Sequence, residues 1–217
     1  MKLYRFRYSP YARKVQMLLD LLHEKYELIE QSYLDRAELA QVTGGYIQVP
    51  VLVADDGRAI VESREICEHL LVDSAASKLV PAPLEGPIWA YADFADGPLE
   101  DVLFRIASPE IRDAWPTAAE RGLYTYVKER KFGPGCVDAW RREREGLVRR
   151  AQKLLAPTLK TLAQRPFLFG EMPTLADAAL YGGCAMLEEA GPALLAHINE
   201  GLVSYARRLE AHVRRPL

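Results

Sequence analysis

Cysteine is scarce in this chain: three thiols, Cys67, Cys136 and Cys184, lie far apart in 217 residues. An odd number at such spacing supports neither a disulfide framework nor a metal quartet, and the lack of any C-x-x-C argues against a dithiol oxidoreductase. Charge of one sign is also missing. A net charge of −2 gives nucleic acid nothing to bind. No apolar run approaches the roughly 20 residues of a membrane span. The opening residues lack the charged and then apolar layout of a secretory leader. The expectation is a soluble protein of a reducing cytoplasm, without metal, nucleic acid or membrane partner. What is present is a 49% hydrophobic content with mixed charges, enough for a substantial core in one large or two modest domains.

The stretch from Tyr46 to Ile66 organises the rest. Val51–Val53 and Ala59–Val61 are short β-branched runs separated by Asp55, Asp56 and Gly57, the pattern of a hairpin with an Asp-Gly turn. Pro50 cannot donate to a ladder, so it belongs at the first residue of the strand or in the turn before it, and either isomer of Val49-Pro50 is compatible with the sequence. Ser63 reads as the N-cap of a helix carrying Ile66, Leu70 and Leu71 at helical spacing. A helix N-terminus of this kind attracts carboxylates.

The first strand is expected over residues 2–8, where Tyr4, Phe6 and Tyr8 alternate with Arg5 and Arg7, an unusually polar set for a sheet covered on both faces. Ser9-Pro10 is a helix start, followed by Val15, Leu18, Leu19 and Leu22 on one face. A second strand over 26–29 completes a β-α-β unit with a right-handed crossover. Residues 35–41 read as a short helix and Gly44-Gly45 as a turn. The proline-containing stretch 73–87 reads as a linker, and everything beyond it as helix. Helices are expected over 88–107, over 117–130, over 137–162 with a bend at Pro157, from Thr174 toward Glu189, and finally around Leu202, Tyr205, Leu209 and Val213. Thr174 and Asp177 form a capping box, and the arginines between 141 and 150, broken by Glu143 and Glu145, form a solvated face.

Val-Pro before a hairpin, then Glu-Ser at a helix start, together with S-P-Y-A-R-K-V, resembles the cytosolic glutathione transferases, and among them the serine-type, bacterial-like members. The resemblance implies an α/β plus all-α chain: a thioredoxin-like domain over 1–77, a linker over 78–87, and an all-helical domain over 88–217 that completes the acceptor-substrate site. It implies glutathione as co-substrate, with Val49 and Pro50 at its cysteinyl unit, Glu62 and Ser63 at the γ-glutamyl end, and Gln48 and more weakly Arg36 at the glycyl end. Ser9 is then the catalytic hydroxyl, aimed at the glutathione sulfur, with Tyr8 as the rival donor. Arg13 reads as an exposed residue of the first helix.

The implied chemistry follows from thiols. The thiolate is the nucleophile, a free thiol near pKa 8.5 is mostly protonated at neutral pH, and a hydroxyl donor plus a helix N-terminus stabilise the anion. Tyr8, Tyr11, Tyr91, Phe94 and Trp115 are candidates for the pocket of an electrophilic, partly apolar small molecule. Tyr46 occupies the loop where some family members carry an aromatic key to a partner subunit, so a homodimer is implied. Serine in place of the cysteine of other members favours conjugation, isomerisation or addition by glutathione over thiol transfer, and the resemblance implies a detoxification role. Two readings stay open beside it: a glutathione-dependent isomerase or lyase, and a non-catalytic transferase-like interaction module.

Overall fold

The structure is a computed structural model that describes residues 1–72 and 77–214. Residues 73–76 of the expected linker and the last three of the chain lie outside the described residues.

The chain begins with strand β1 (Lys2–Arg5), helix α1 (Pro10–Leu21), strand β2 (Glu27–Glu30) and helix α2 (Ala37–Thr43), then the hairpin β3 (Val51–Val53) and β4 (Ala59–Val61) and helix α3 (Ser63–Leu70). The strands lie in the order β2-β1-β3-β4, with β1 and β2 parallel and the other pairings antiparallel. This is the thioredoxin-like arrangement. The register Leu3↔Leu52 and Tyr4↔Val51 puts alternate side chains on opposite faces: Leu3 and Leu52 join the main core, while Tyr4 and Val51 form a smaller cluster under α2 with Leu39.

Strand β1 stops short of the expected length. Arg5 is its last residue and is buried, held by Glu30 across the parallel pair at 2.5 Å and by Gln16 of α1. Arg7 lies past the strand, exposed, with Glu189 at 3.3 Å. The polar alternation therefore marks one buried arginine, answered by the exposed Glu30, and one exit from the sheet, since a strand continued past Arg5 would carry a second arginine toward the same interior.

Helix resumes at Glu85, inside the segment read as linker. The expected helix over 88–107 is three segments: α4 (Glu85–Phe94), a wide π-helical turn (Ala95–Leu99), and α5 (Glu100–Ala114). Gly97 and Pro98 sit in that turn, where proline's missing N–H and its ring are accommodated by the looser winding. Helix α6 (Ala118–Phe132) starts at a full Thr117/Glu120 capping box. The single helix expected over 137–162 is split at Glu143 into α7 (Cys136–Arg142) and α8 (Arg144–Leu162). The break lets Trp140 meet Phe104 and Phe132 while Val148, Ala151 and Leu155 of α8 face the core.

Helix α9 (Leu175–Ala190) runs through the centre of the molecule, followed by α10 (Leu194–Ile198) and α11 (Glu200–Val213). Its capping Asp177 is fully buried and accepts from Leu168 N at 3.0 Å, Thr174 N at 2.8 Å, Thr174 Oγ1 at 2.9 Å and the Tyr205 hydroxyl at 3.0 Å. Burial raises its pKa, and the four donors act in the opposite direction. Helix α9 packs most extensively on α1. The approach is close because Gly182 has no side chain: a Cβ there would press on the carbonyl of Pro10, with its carbon at 3.1 Å. The helical half of the chain thereby braces the start of α1.

Candidate functional site

Ser9 is the N-cap of α1. Its backbone is extended (φ −73°, ψ 114°), its Oγ accepts from Ala12 N at 3.3 Å, and Pro10 occupies the first helical position. Because Oγ serves the helix as an acceptor, its own hydrogen stays free to donate. Ser9 is buried, yet it borders a cleft of about 930 Å³ between the sheet domain and the helical half. Tyr8, Tyr11, Arg36, Gln48 and Val49 line the side of the sheet domain, and Asp96, Glu100, Phe104 and Lys128 line the helical side.

The peptide bond Val49-Pro50 is cis. Val49 lies ahead of the β3 ladder, which begins at Val51, and faces the cleft, while Pro50 is buried behind it. Gln48 is exposed at the rim. Arg36 is stacked over Phe6 at 4.7 Å and Tyr33 at 5.1 Å and donates to the Ile47 carbonyl at 2.7 Å, so its guanidinium is fixed rather than solvated.

Glu62 and Ser63 stand beside the cleft, outside its lining. Ser63 is the first residue of α3 and not its cap; the cap is Glu62, with φ 65°, a conformation that costs a non-glycine residue of the order of 1–2 kcal/mol. The Glu62 carboxylate accepts from the Tyr46 hydroxyl at 2.7 Å, which ties the 44–49 loop to the head of α3.

A residue the sequence did not single out joins this corner to the cleft. Lys14 of α1 has a side chain only 3% exposed; its ammonium donates to Ser63 Oγ at 3.0 Å and pairs with Asp96 of the π-helical turn. Asp96 borders the cleft, and burial holds its carboxyl above the usual range even with Lys14 against it. A lysine on the otherwise apolar face of α1, and Asp-Gly-Pro in the middle of a helical pattern, were the available signals.

Tyr8 is stacked on Phe6 at 5.4 Å and packs edge-on against Trp115 and Tyr124. Burial, reinforced by Tyr33 and Tyr124, pushes its phenol well above the ordinary value, so it faces the cleft as a neutral hydroxyl. Trp115 lies behind Tyr8 and Tyr33 as a buttress rather than in the cleft wall. Tyr91 and Phe94 are placed elsewhere: Tyr91 bonds Thr158 of α8 at 2.9 Å and meets Phe94 edge-on, on the side of α4 turned to the helical core. From the π-helical turn onward the chain reaches the cleft, which Asp96 and Gly97 of the turn and Glu100 and Phe104 of α5 line instead. Arg13 also points away, donating to the Tyr181 hydroxyl at 3.3 Å in a separate cleft with Asp20 and Glu210.

Tyr11, like Tyr8, is a candidate aromatic that the structure does bring to the site, its hydroxyl on the Asp96 carbonyl at 3.1 Å. Glu100 beside it is pushed up to about 7 by burial, against the lowering effect of Tyr11 and of Lys131 and Lys128. Lys128 is pushed down to about 8 by burial and then by Lys131. The three cysteines are buried, with Cys67 raised to about 11 and Cys184 to about 12 by desolvation, so they are inert thiols. Among the described residues no cluster of three or more His, Cys, Asp or Glu is arranged to hold a metal, and no helix is long and apolar enough to cross a membrane.

Among curated proteins, no sequence match to the chain is found. Solved structures resemble it over nearly its whole length. A glutathione S-transferase from Pseudomonas fluorescens superposes with TM-score 0.67 at 23% identity, covering 99% of this chain and 97% of that one. The glutathione S-transferase of Ceriporiopsis subvermispora, solved in complex with glutathione, gives 0.77 at 17%, covering 98% and 97%. Glutaredoxin 2 from Salmonella typhimurium, also in complex with glutathione, gives 0.68 at 22%, covering 98% of both chains. These likenesses establish the shared fold. Residues 3–78 match the N-terminal domain of glutathione S-transferases and residues 114–212 match their C-terminal domain, and on these two matches the chain belongs to the glutathione S-transferase family.

Proposed function

We propose that the protein activates glutathione as a thiolate for attack on an electrophilic small molecule held in the interdomain cleft, with Ser9 as the donor to the sulfur. The observation that carries this reading is that Ser9, at the N-terminus of α1, and Val49, beside the cis-proline, border the same cleft. The cysteinyl unit lies along Val49. Its sulfur then meets a hydroxyl with a free hydrogen and the positive end of a helix, both of which favour the charged form. The γ-glutamyl end lies over Glu62 and Ser63, where a carboxylate faces the ammonium and a serine beside Lys14 faces the carboxylate. The glycyl carboxylate lies toward Gln48 and Arg36.

No covalent bond to the protein is needed. The thiol proton leaves to solvent, the sulfur attacks the electrophile, and the leaving group departs or the adduct collapses to an isomer. Product analysis by mass spectrometry separates these outcomes: a stable glutathione adduct supports conjugation, and a rearranged acceptor with glutathione regenerated supports the isomerase or lyase reading. Failure to bind glutathione at millimolar concentration assigns the chain to the interaction-module reading. A dimer in a reducing cytoplasm accompanies the proposal, and sedimentation velocity tests the former.

A further inference from the structure

Helix α6 turns one face to the acceptor end of the cleft: Leu123, Val127 and Lys131 follow one another at helical spacing, with Lys128 beside them. Across from them stand Glu100 and Phe104 of α5. The charges here divide into those answered by a partner and two lysines that are not, of which Lys131 is exposed to solvent and Lys128 is half-buried. Asp96 has Lys14, Asp101 has Arg105 at 2.7 Å, and Arg36 has the Ile47 carbonyl and two rings. Glu100, which burial pushes up to about 7, acts on Lys128 through space but forms no ion pair with it. Lys128 lies over Phe104 at 4.8 Å and Tyr124 at 4.9 Å, and among the described residues no carboxylate comes within ion-pair distance of it. Two rings attract an ammonium but do not neutralise it.

Resting on the transferase reading above, we propose that Lys128 is a specificity-determining residue that binds a carboxylate on the acceptor, so that the preferred electrophiles are flat unsaturated or aromatic acids. The apolar body of such a molecule lies between Phe104, Phe132, Leu123 and Val127, and its reactive carbon faces the sulfur at the Ser9 side. A half-buried ammonium without a counter-ion gains more from a carboxylate than a solvated surface lysine does, because the pair forms at a lower effective dielectric than at the open surface. A neutral acceptor leaves that cation unanswered and forgoes the gain.

The test is a pair of aryl chlorides that differ only in charge, chlorodinitrobenzoate and its methyl ester. With either probe the glutathione thiolate attacks the carbon bearing chlorine, a C–S bond forms, the C–Cl bond breaks and chloride leaves with the electron pair. Rates are normalised to the uncatalysed reaction with glutathione. The wild-type enzyme is expected to favour the acid in kcat/KM. Lys128→Met should lower kcat/KM for the acid by about tenfold or more while leaving the ester within about twofold, and Lys128→Arg should retain the preference. The proposal is overturned if the wild type shows no preference, if Lys128→Met keeps it, or if Lys128→Met raises the KM for glutathione as much as that for the acid, which would assign the cation to glutathione's own carboxylate. If neither chloride is turned over, the transferase reading fails separately. Calorimetric binding of dinitrobenzoate and its methyl ester, with S-methylglutathione present, then decides: tighter acid binding that Lys128→Met abolishes supports anion recognition, and equal binding overturns it.

Discussion

Replacing Lys14 with methionine isolates the charge that links the two halves of the molecule. Methionine keeps the apolar stem that packs within α1, so the loss falls on the ammonium. In the native protein that ammonium is almost fully enclosed between Ser63 and Asp96. Breaking a fully buried pair costs about 3–5 kcal/mol, because one charge is left behind without its partner. Asp96 keeps 27% of its side chain exposed toward the cleft, which solvates part of the orphaned carboxylate and brings the expected loss to about 2–3 kcal/mol. The loss also depends on pH. Asp96 already ionises above its usual range in the folded chain, and without Lys14 it rises further. The folded variant therefore takes up a proton that the unfolded chain does not, and the variant regains stability as pH falls from neutrality toward the unfolded carboxylate range. Urea denaturation of Lys14→Met, of Asp96→Leu and of the double variant measures each contribution. The double variant should recover most of the stability, since removing both partners leaves no uncompensated charge. Glutathione should bind the single variant about tenfold more weakly, through Ser63. A Lys14→Met protein within about 0.5 kcal/mol of wild type at neutral pH, or strictly additive losses in the double variant, would refute the reasoning.

Glu62→Gly removes the strain of a positive φ together with the carboxylate, so thermal melting should hold or rise by a few degrees while glutathione affinity falls; a lower melting temperature with unchanged affinity would contradict it. Gly182→Ala forces a methyl group against the Pro10 carbonyl and should cost about 1–3 kcal/mol in urea, and it should also lower kcat because Ser9 moves with the head of α1. The ratio of acid to ester turnover should fall as pH rises through about 8, where Lys128 loses its proton, even though the thiol is then more fully ionised; a ratio flat from pH 7 to 9 would argue against a charged Lys128 at the acceptor.

The features that specify the sheet domain were legible because they are local. A proline before a β-branched run, an Asp-Gly turn and a Ser-Pro helix start each act within a few residues, and the hairpin and α1 lie where those signals put them. What stayed hidden depends on non-local partners. Ser63 was read as a cap from its chemistry, whereas the chain turns one residue earlier at Glu62, whose carboxylate is held from the loop by Tyr46. Tyr91 and Phe94 show the helical period that suits a pocket wall, but Tyr91 is taken by Thr158 of α8, a partner distant in sequence, and the cleft is lined from the π-helical turn onward. Lys14 stands out only as a cation on an apolar helix face and Lys128 looks like an ordinary solvated lysine; their partners, Ser63 and Asp96 for one and Phe104 for the other, are distant in sequence.

The central claim, that Ser9 and the head of α1 stabilise a bound thiolate, is tested most directly by the ultraviolet absorbance of the glutathione thiolate on the protein as pH is varied, for wild type and Ser9→Ala. The account predicts a bound thiol whose pKa lies well below the free value of about 8.5 and rises toward it in Ser9→Ala, with glutathione still bound. A bound thiol that titrates as in free glutathione, or a lowered pKa that Ser9→Ala leaves unchanged, would contradict it and move the role of donor to Tyr8.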